Sequence, residues 1–171
     1  MSKVYSPHQT NVLQLPCGKG DGSLFSLDLT RVDEIENRVE EVKRSNPMTY
    51  PDLVVEFNMG MARLGDMIAL VENELEAAEE RLETAKAIAI IERIEEKLLE
   101  KKIKSSADIR GAMVQLDPDV IKAKDGVQLL KSALKFLQNK YSTLERAYFS
   151  SKTVADFNNV PLSTNFGGNR K

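Results

Sequence analysis

No proline stands between Pro51 and Pro118, and no glycine between Gly65 and Gly111. Nothing in that stretch obliges a helix to stop, because these are the two residues that most readily end one. Its apolar residues are spaced to match. Phe57, Met61, Leu64, Ile68, Val71, Leu75, Ala78 and Leu82 fall alternately four and three apart. Such a repeat keeps its seam on one face when helices wrap left-handedly around each other, as in a coiled coil or slender bundle. One helix can therefore extend from about Leu53 to Lys101, roughly 70 Å at 1.5 Å per residue. The seam drifts near Ala85–Ile90, where Ala87, Ile88, Ala89, Ile90 and Ile91 form an almost continuous apolar run. A stutter, a kink or a buried contact would each account for it.

A second long helix opens at Asp117-Pro118, with the aspartate as N-cap and the proline at the first helical position. Its seam is Val120, Ala123, Val127, Leu130, Leu134, Leu137, Tyr141, Leu144 and Tyr148. Leu129, Ala133 and Phe136 widen the apolar face, which implies packing against more than one neighbour. A short connection between two long helices favours antiparallel packing. Between them Ser105 and Asp108 can cap a short turn carrying Ile109, Arg110 and Met113. Ahead of them a short helix is expected from about Arg31 to Arg44. Thr30 and Asp33 resemble a capping box, Val32, Ile35, Val39 and Val42 share a face, and Asn46-Pro47 ends it. Thr49, Pro51 and Asp52 supply the start of the next helix. The expected fold class is all-α: an antiparallel long-helix hairpin with coiled-coil-like packing, a short N-terminal helix, a flexible N-terminal arm and a flexible C-terminal tail.

The expected division is an extended arm at 1–28, a helical domain at 29–152 and a flexible tail at 153–171. Pro7, Pro16 and the run Gly18-Lys19-Gly20-Asp21-Gly22-Ser23 argue for an irregular arm, free or ordered against a neighbouring subunit. The glycine run is not a P-loop, which needs a lysine followed by serine or threonine opening a helix; here Gly20 follows Lys19. The tail, rich in asparagine, glycine and proline, loses the helical period.

Charged residues make up 29% of the chain, tryptophan is absent and aromatics are 6%, a balance suited to narrow apolar seams rather than a thick core. Cys17 is the only cysteine and His8 the only histidine, so neither an internal disulfide nor a zinc site is expected. The N-terminus lacks the apolar core of a signal peptide, and no segment has the apolar length to span a bilayer. A cytoplasmic protein is expected, in the host cytoplasm if the chain is phage-encoded, with no membrane partner. Nucleophile-elbow, HExxH, CxxC and dinucleotide-binding signatures are missing, so neither catalysis nor a cofactor is expected. Glu72, Glu76, Glu79, Glu80 and Glu83 lie off the seam without a histidine, which fits a solvated acidic face better than a metal site.

Charge is segregated along the chain. The acidic run Glu72–Glu83 is followed by a basic cluster, and two readings of it stand side by side. Acidic and basic flanks can pair across the hairpin or between subunits. Alternatively, a basic stripe can follow a nucleic-acid backbone, through Lys97, Lys101, Lys102, Lys104, Arg110, Lys122 and Lys124. Ile88, Ile91, Leu129, Phe136 and Phe157 are the candidate contacts with other subunits or partners.

The order of a short amphipathic helix, a long helix, an intervening segment and a final helix resembles the UvsY-type phage recombination mediators. The stretches carrying the resemblance are Val32–Val42, Asp52–Leu75, Lys104–Arg110 and Asp117-Pro118-Asp119-Val120-Ile121-Lys122 through Asp156-Phe157. It implies a ring-forming homo-oligomer that binds single-stranded DNA and helps a RecA-like recombinase displace a single-strand-binding protein. The family's DNA contacts use basic residues on its long helix, whereas the matching part here, around Ala87–Ile90, is apolar. The resemblance therefore transfers no DNA contacts, and it leaves the glycine-containing arm and the tail unexplained. The competing expectations are a phage structural, scaffold or adaptor protein acting only through protein contacts, or an inhibitor of a host nucleic-acid enzyme.

Overall fold

The computed structural model describes residues 11–40, 42, 49–102 and 106–159. In chain order its elements are β1 (Val12–Pro16), β2 (Leu24–Asp28), α1 (Thr30–Asn37), α2 (Tyr50–Ile88), a π-helical segment (Ala89–Ile94), α3 (Glu95–Glu100), α4 (Ala107–Gln115) and α5 (Pro118–Asn159). The all-α expectation holds, with one two-stranded sheet added.

Helices α2 and α5, of 39 and 42 residues, form the frame. Their cross-connections run in opposite directions along the two chains. Leu144 meets the bare backbone at Gly60, Lys131 pairs with Glu79 at 2.7 Å, and Arg93 pairs with Asp117 at 3.2 Å. The helices are therefore antiparallel. Both expected seams face this interface: Phe57, Leu64 and Val71 on α2, and Leu130, Leu137 and Leu144 on α5, are fully buried. Each such side chain contributes about 1.5–3 kcal/mol by leaving water. Gly60 is a point of close approach, because a side chain there would collide with Leu144 and crowd Ile35 of α1.

The N-terminal region departs from expectation. Residues expected to form an irregular arm instead form an antiparallel hairpin, in which Leu13 pairs with Leu27 and Leu15 with Phe25. Those four residues face inward onto the helix pair, while Val12, Gln14 and Ser26 face outward. Alternation with period two is the strand signature. Here it covers only five residues on each side of a glycine-rich turn, too short a run to stand out against the turn.

Helix α1 is shorter than expected, ending at Asn37. Residues 41 and 43–48, including the Asn46-Pro47 stop signal, lie outside the described residues. The Thr30 hydroxyl does not cap α1. It accepts from the Asn11 backbone N–H at 3.1 Å, while Asp28 accepts the Thr30 N–H at 2.9 Å. Val32 and Ile35 are buried as expected, and Lys140 of α5 reaches Asp33 at 2.8 Å and also binds Glu36. At the other end of the chain α5 continues through Lys152 to Asn159, so the first residues assigned to a tail are helical.

The drift in the α2 seam has a specific cause. Past Leu82 the buried residues are Ala89, Ile94 and Leu98, with partly buried Ala85 and Ile90 packed against the same core, and the step from Ala89 to Ile94 is five. The π turn spans that step and absorbs the extra residue, so the seam stays on the inner face. The helix from Tyr50 to Glu100 therefore runs on without a break in helical backbone.

Ser151 is wholly buried, and its hydroxyl is the one buried side-chain polar atom lacking a partner among the described residues. Ser151→Ala is expected to stabilise the protein by about 1 kcal/mol, since an unsatisfied buried group is removed at little loss of volume. Thermal unfolding that shows a lower midpoint in the variant would contradict this. At Lys140 burial works to lower the pKa, but hydrogen bonds to Asp33 and Glu36 outweigh it and hold the ammonium above its usual range. Its contribution to stability is thus complete below the ordinary lysine value, about 10.4, and is lost as pH rises through the higher folded value. Lys140→Met should be less stable than wild type at neutral pH, with the gap closing at strongly alkaline pH.

Candidate nucleic-acid and assembly surfaces

The distal end of the hairpin is built around a second small core of Ala89, Ile94, Leu98, Val114 and Val120. Two caps position its helices. The Ser106 hydroxyl accepts the Ile109 N–H at 3.3 Å, so Ser106 rather than Ser105 caps α4; Ser105 lies outside the described residues. Asp117 caps α5 as expected, accepting from the Asp119 N–H at 3.0 Å and the Val120 N–H at 3.4 Å. Asp117 is buried, and Arg93 from the π segment reaches both it and Asp119, the latter at 2.7 Å. One guanidinium thus clamps the start of α5 to the end of the long helix, a role the sequence reading missed.

The basic residues expected to form one cluster fall into three settings. Lys97 and Lys101 lie one turn apart and share an exposed face of α3 and the turn that follows. Lys102 comes next, exposed and with a φ of 51°. Arg110, on α4, is engaged by Glu95 at 3.9 Å, and Lys124, early in α5, bonds Gln115 at 3.4 Å. Lys122 is elsewhere: it lines a cleft beneath the β-hairpin turn. Lys104 lies outside the described residues. Glu92, Glu96 and Glu100 are also exposed at this end, interspersed with Lys97, Lys101 and Lys102. Among the described residues none of these three lysines pairs with a carboxylate.

Elsewhere the acidic and basic flanks do pair, as one of the two readings expected. Lys131 meets Glu79 across the hairpin, whereas Lys86 meets Glu83 at 2.7 Å within α2 itself. Glu76, Glu79, Glu80 and Glu83 line an open groove with Lys131 and Val127, and among the described residues no group of acidic, histidine or cysteine side chains is arranged to hold a metal ion.

The five candidate contact residues all reach solvent. Ile88 and Ile91 lie one turn apart at the π segment, with Ile91 73% exposed; Leu129 and Phe136 lie two turns apart on α5; and Phe157, at its end, is 81% exposed. Lys140 stacks over the Phe136 ring at 5.3 Å. Two further leucines are strongly exposed, Leu99 (79%) and Leu116 (74%), both at the distal end. Their spacing gives no signal, because each falls where one helix gives way to a turn. No helix among the described residues is long and apolar enough to cross a membrane.

No family model, curated protein or solved structure matches the chain.

Lys102 occupies the position after a helix end that usually holds glycine, its N–H bonded to the Leu99 carbonyl at 3.2 Å. The left-handed backbone there disfavours any side chain with a Cβ by about 1–2 kcal/mol. Lys102→Gly is therefore expected to raise the unfolding midpoint. A fall would show that the lysine side chain itself stabilises the fold.

Proposed function

We propose that this protein is a non-catalytic, self-associating helical hairpin that binds single-stranded DNA through the Lys97–Lys101–Lys102 face. In that role it would serve as an accessory to recombination, working with a RecA-like recombinase and a single-strand-binding protein. The observation that carries the reading is the trio of exposed ammonium groups without carboxylate partners, the last fixed in a backbone conformation that favours glycine. Phosphate neutralisation asks for clustered cations and little else. Strain retained at an exposed charged residue is more economically explained by use of that charge than by folding.

Self-association is supported by the apolar surface. Ile91, Leu99 and Leu116, all at the distal end, are each more than two-thirds exposed, and apolar side chains gathered at one end favour cover by another surface. The same residues support a second reading, a structural or scaffold protein that acts through protein contacts alone.

Anisotropy of a labelled oligothymidylate, titrated over a range of salt, separates the two. DNA binding should weaken as salt rises, with a slope of about −0.7 per phosphate neutralised. Combined Lys97→Glu, Lys101→Glu and Lys102→Glu substitution should flatten that slope by about two. Absence of binding at low salt, with light scattering showing an intact oligomer, would overturn the DNA reading in favour of the scaffold. A monodisperse monomer at tens of micromolar would overturn both.

A further inference from the structure

The glycine-rich turn between β1 and β2 is unused by the reading above, and it roofs a cleft. The turn docks on α2 through the Gly18 N–H, which donates to the Glu74 carboxylate at 2.6 Å. Gly20, at a φ of 68°, lies directly against the Arg81 guanidinium, leaving no room for a side chain. Below the turn, between α2 and α5, is a cavity of about 280 Å³ open on one side. Leu24, Leu129 and Leu130 supply apolar wall, and Arg81 and Lys122 bring two positive charges to it.

Two features of this cleft have no structural counterpart. Arg81 is half-buried, yet among the described residues neither it nor Lys122 pairs with a carboxylate. Asp125 on the same wall offsets one of the two charges, and the Glu74 carboxylate behind the roof is engaged by the Gly18 N–H, so the lining itself keeps one net positive charge. Leu24 and Leu129 meanwhile expose much of their side chains at the rim, although they lie on different elements. An occupant matched to this lining has a flat apolar body and an adjacent anionic group. The volume is close to the lower end for ligand pockets, about 300 Å³. That suits one base and its phosphate rather than a long acyl chain.

We propose that this cleft binds a nucleoside phosphate, with the base against Leu24 and Leu129 and the phosphate on Arg81 and Lys122. The nucleotide comes either free or as one residue of a strand. The strand source rests on the DNA-binding reading above; the free source does not. Arg81 stands about 24 Å along the helix from Lys97, so the cleft is a separate site from the distal lysines.

Cys17, the only cysteine of the chain, is partly exposed and lines the cleft, which makes it a reporter of occupancy. The rate of its alkylation by a small maleimide is measured on the full chain, alone and with thymidine monophosphate or oligothymidylate. Either ligand at about ten times its Kd should slow the reaction about tenfold, by mass action. Lys122→Glu and Leu24→Asp, both exposed positions, should abolish the protection while circular dichroism shows the fold unchanged. Protection by the monophosphate alone identifies a free nucleotide as the ligand. If anisotropy shows the strand bound while Cys17 reacts at its full rate with both ligands, the strand binds elsewhere and this proposal fails, though DNA binding stands. If the strand does not bind at all, the DNA reading fails, and the monophosphate then decides the cleft by itself. Protection that persists unchanged in both variants would also overturn the assignment.

Discussion

Two apolar seams on α2 and α5 have to meet in register along their whole length, and nearly every other feature follows from keeping them there. The close approach at Gly60 sets the spacing where Leu144 and Ile35 converge on one point. At the far end, the five-residue step from Ala89 to Ile94 would swing Ile94 and Leu98 outward by about one residue's rotation if the helix stayed strictly α. The π turn removes that rotation. Arg93 lies in that turn and reaches the cap of the returning helix, so the correction of phase and the fastening of the hairpin occur at one place.

Much of this frame could be read from the sequence because it depends on repetition. Sixteen consecutive choices of apolar residue, from Phe57 to Leu82 and Val120 to Leu144, agree on one face each, and chance does not imitate that easily. Asp117-Pro118 was equally legible, since an acidic cap before proline has few other uses. The β-hairpin was not. Leu13, Leu15, Phe25 and Leu27 give only two periods on each strand, and Pro16 with the glycines reads as a break unless the partner strand is already in view. Thr30 failed as a cap for a related reason: the hairpin brings the Asn11 N–H to its hydroxyl, and Asp28, two residues earlier, accepts its N–H.

The charged surface was legible in composition and illegible in pairing. Lys97, Arg110 and Lys122 look alike in a string of letters. In three dimensions one stands unpaired on a helix face, one meets Glu95, and one turns to a cleft whose other cation, Arg81, lies in the acidic half of the chain. Sidedness, not abundance, decides what a lysine can do, and sidedness arrives only with the fold. Exposed Leu99 and Leu116 carry the same lesson for apolar residues.

The contact between Lys140 and Asp33 joins residues 107 apart in the chain. Synthesis proceeds from the N-terminus, so β1, β2 and α1 leave the ribosome first and α5 last. Leu15, Val32 and Ile35 therefore wait for Leu137, Leu144 and Lys140 before the pocket begun by α2 is complete. Closing so long a loop is slow on entropic grounds. Until α5 emerges, the nascent chain carries the α5-facing side of that layer uncovered, with its apolar side chains available to a chaperone or to another nascent copy.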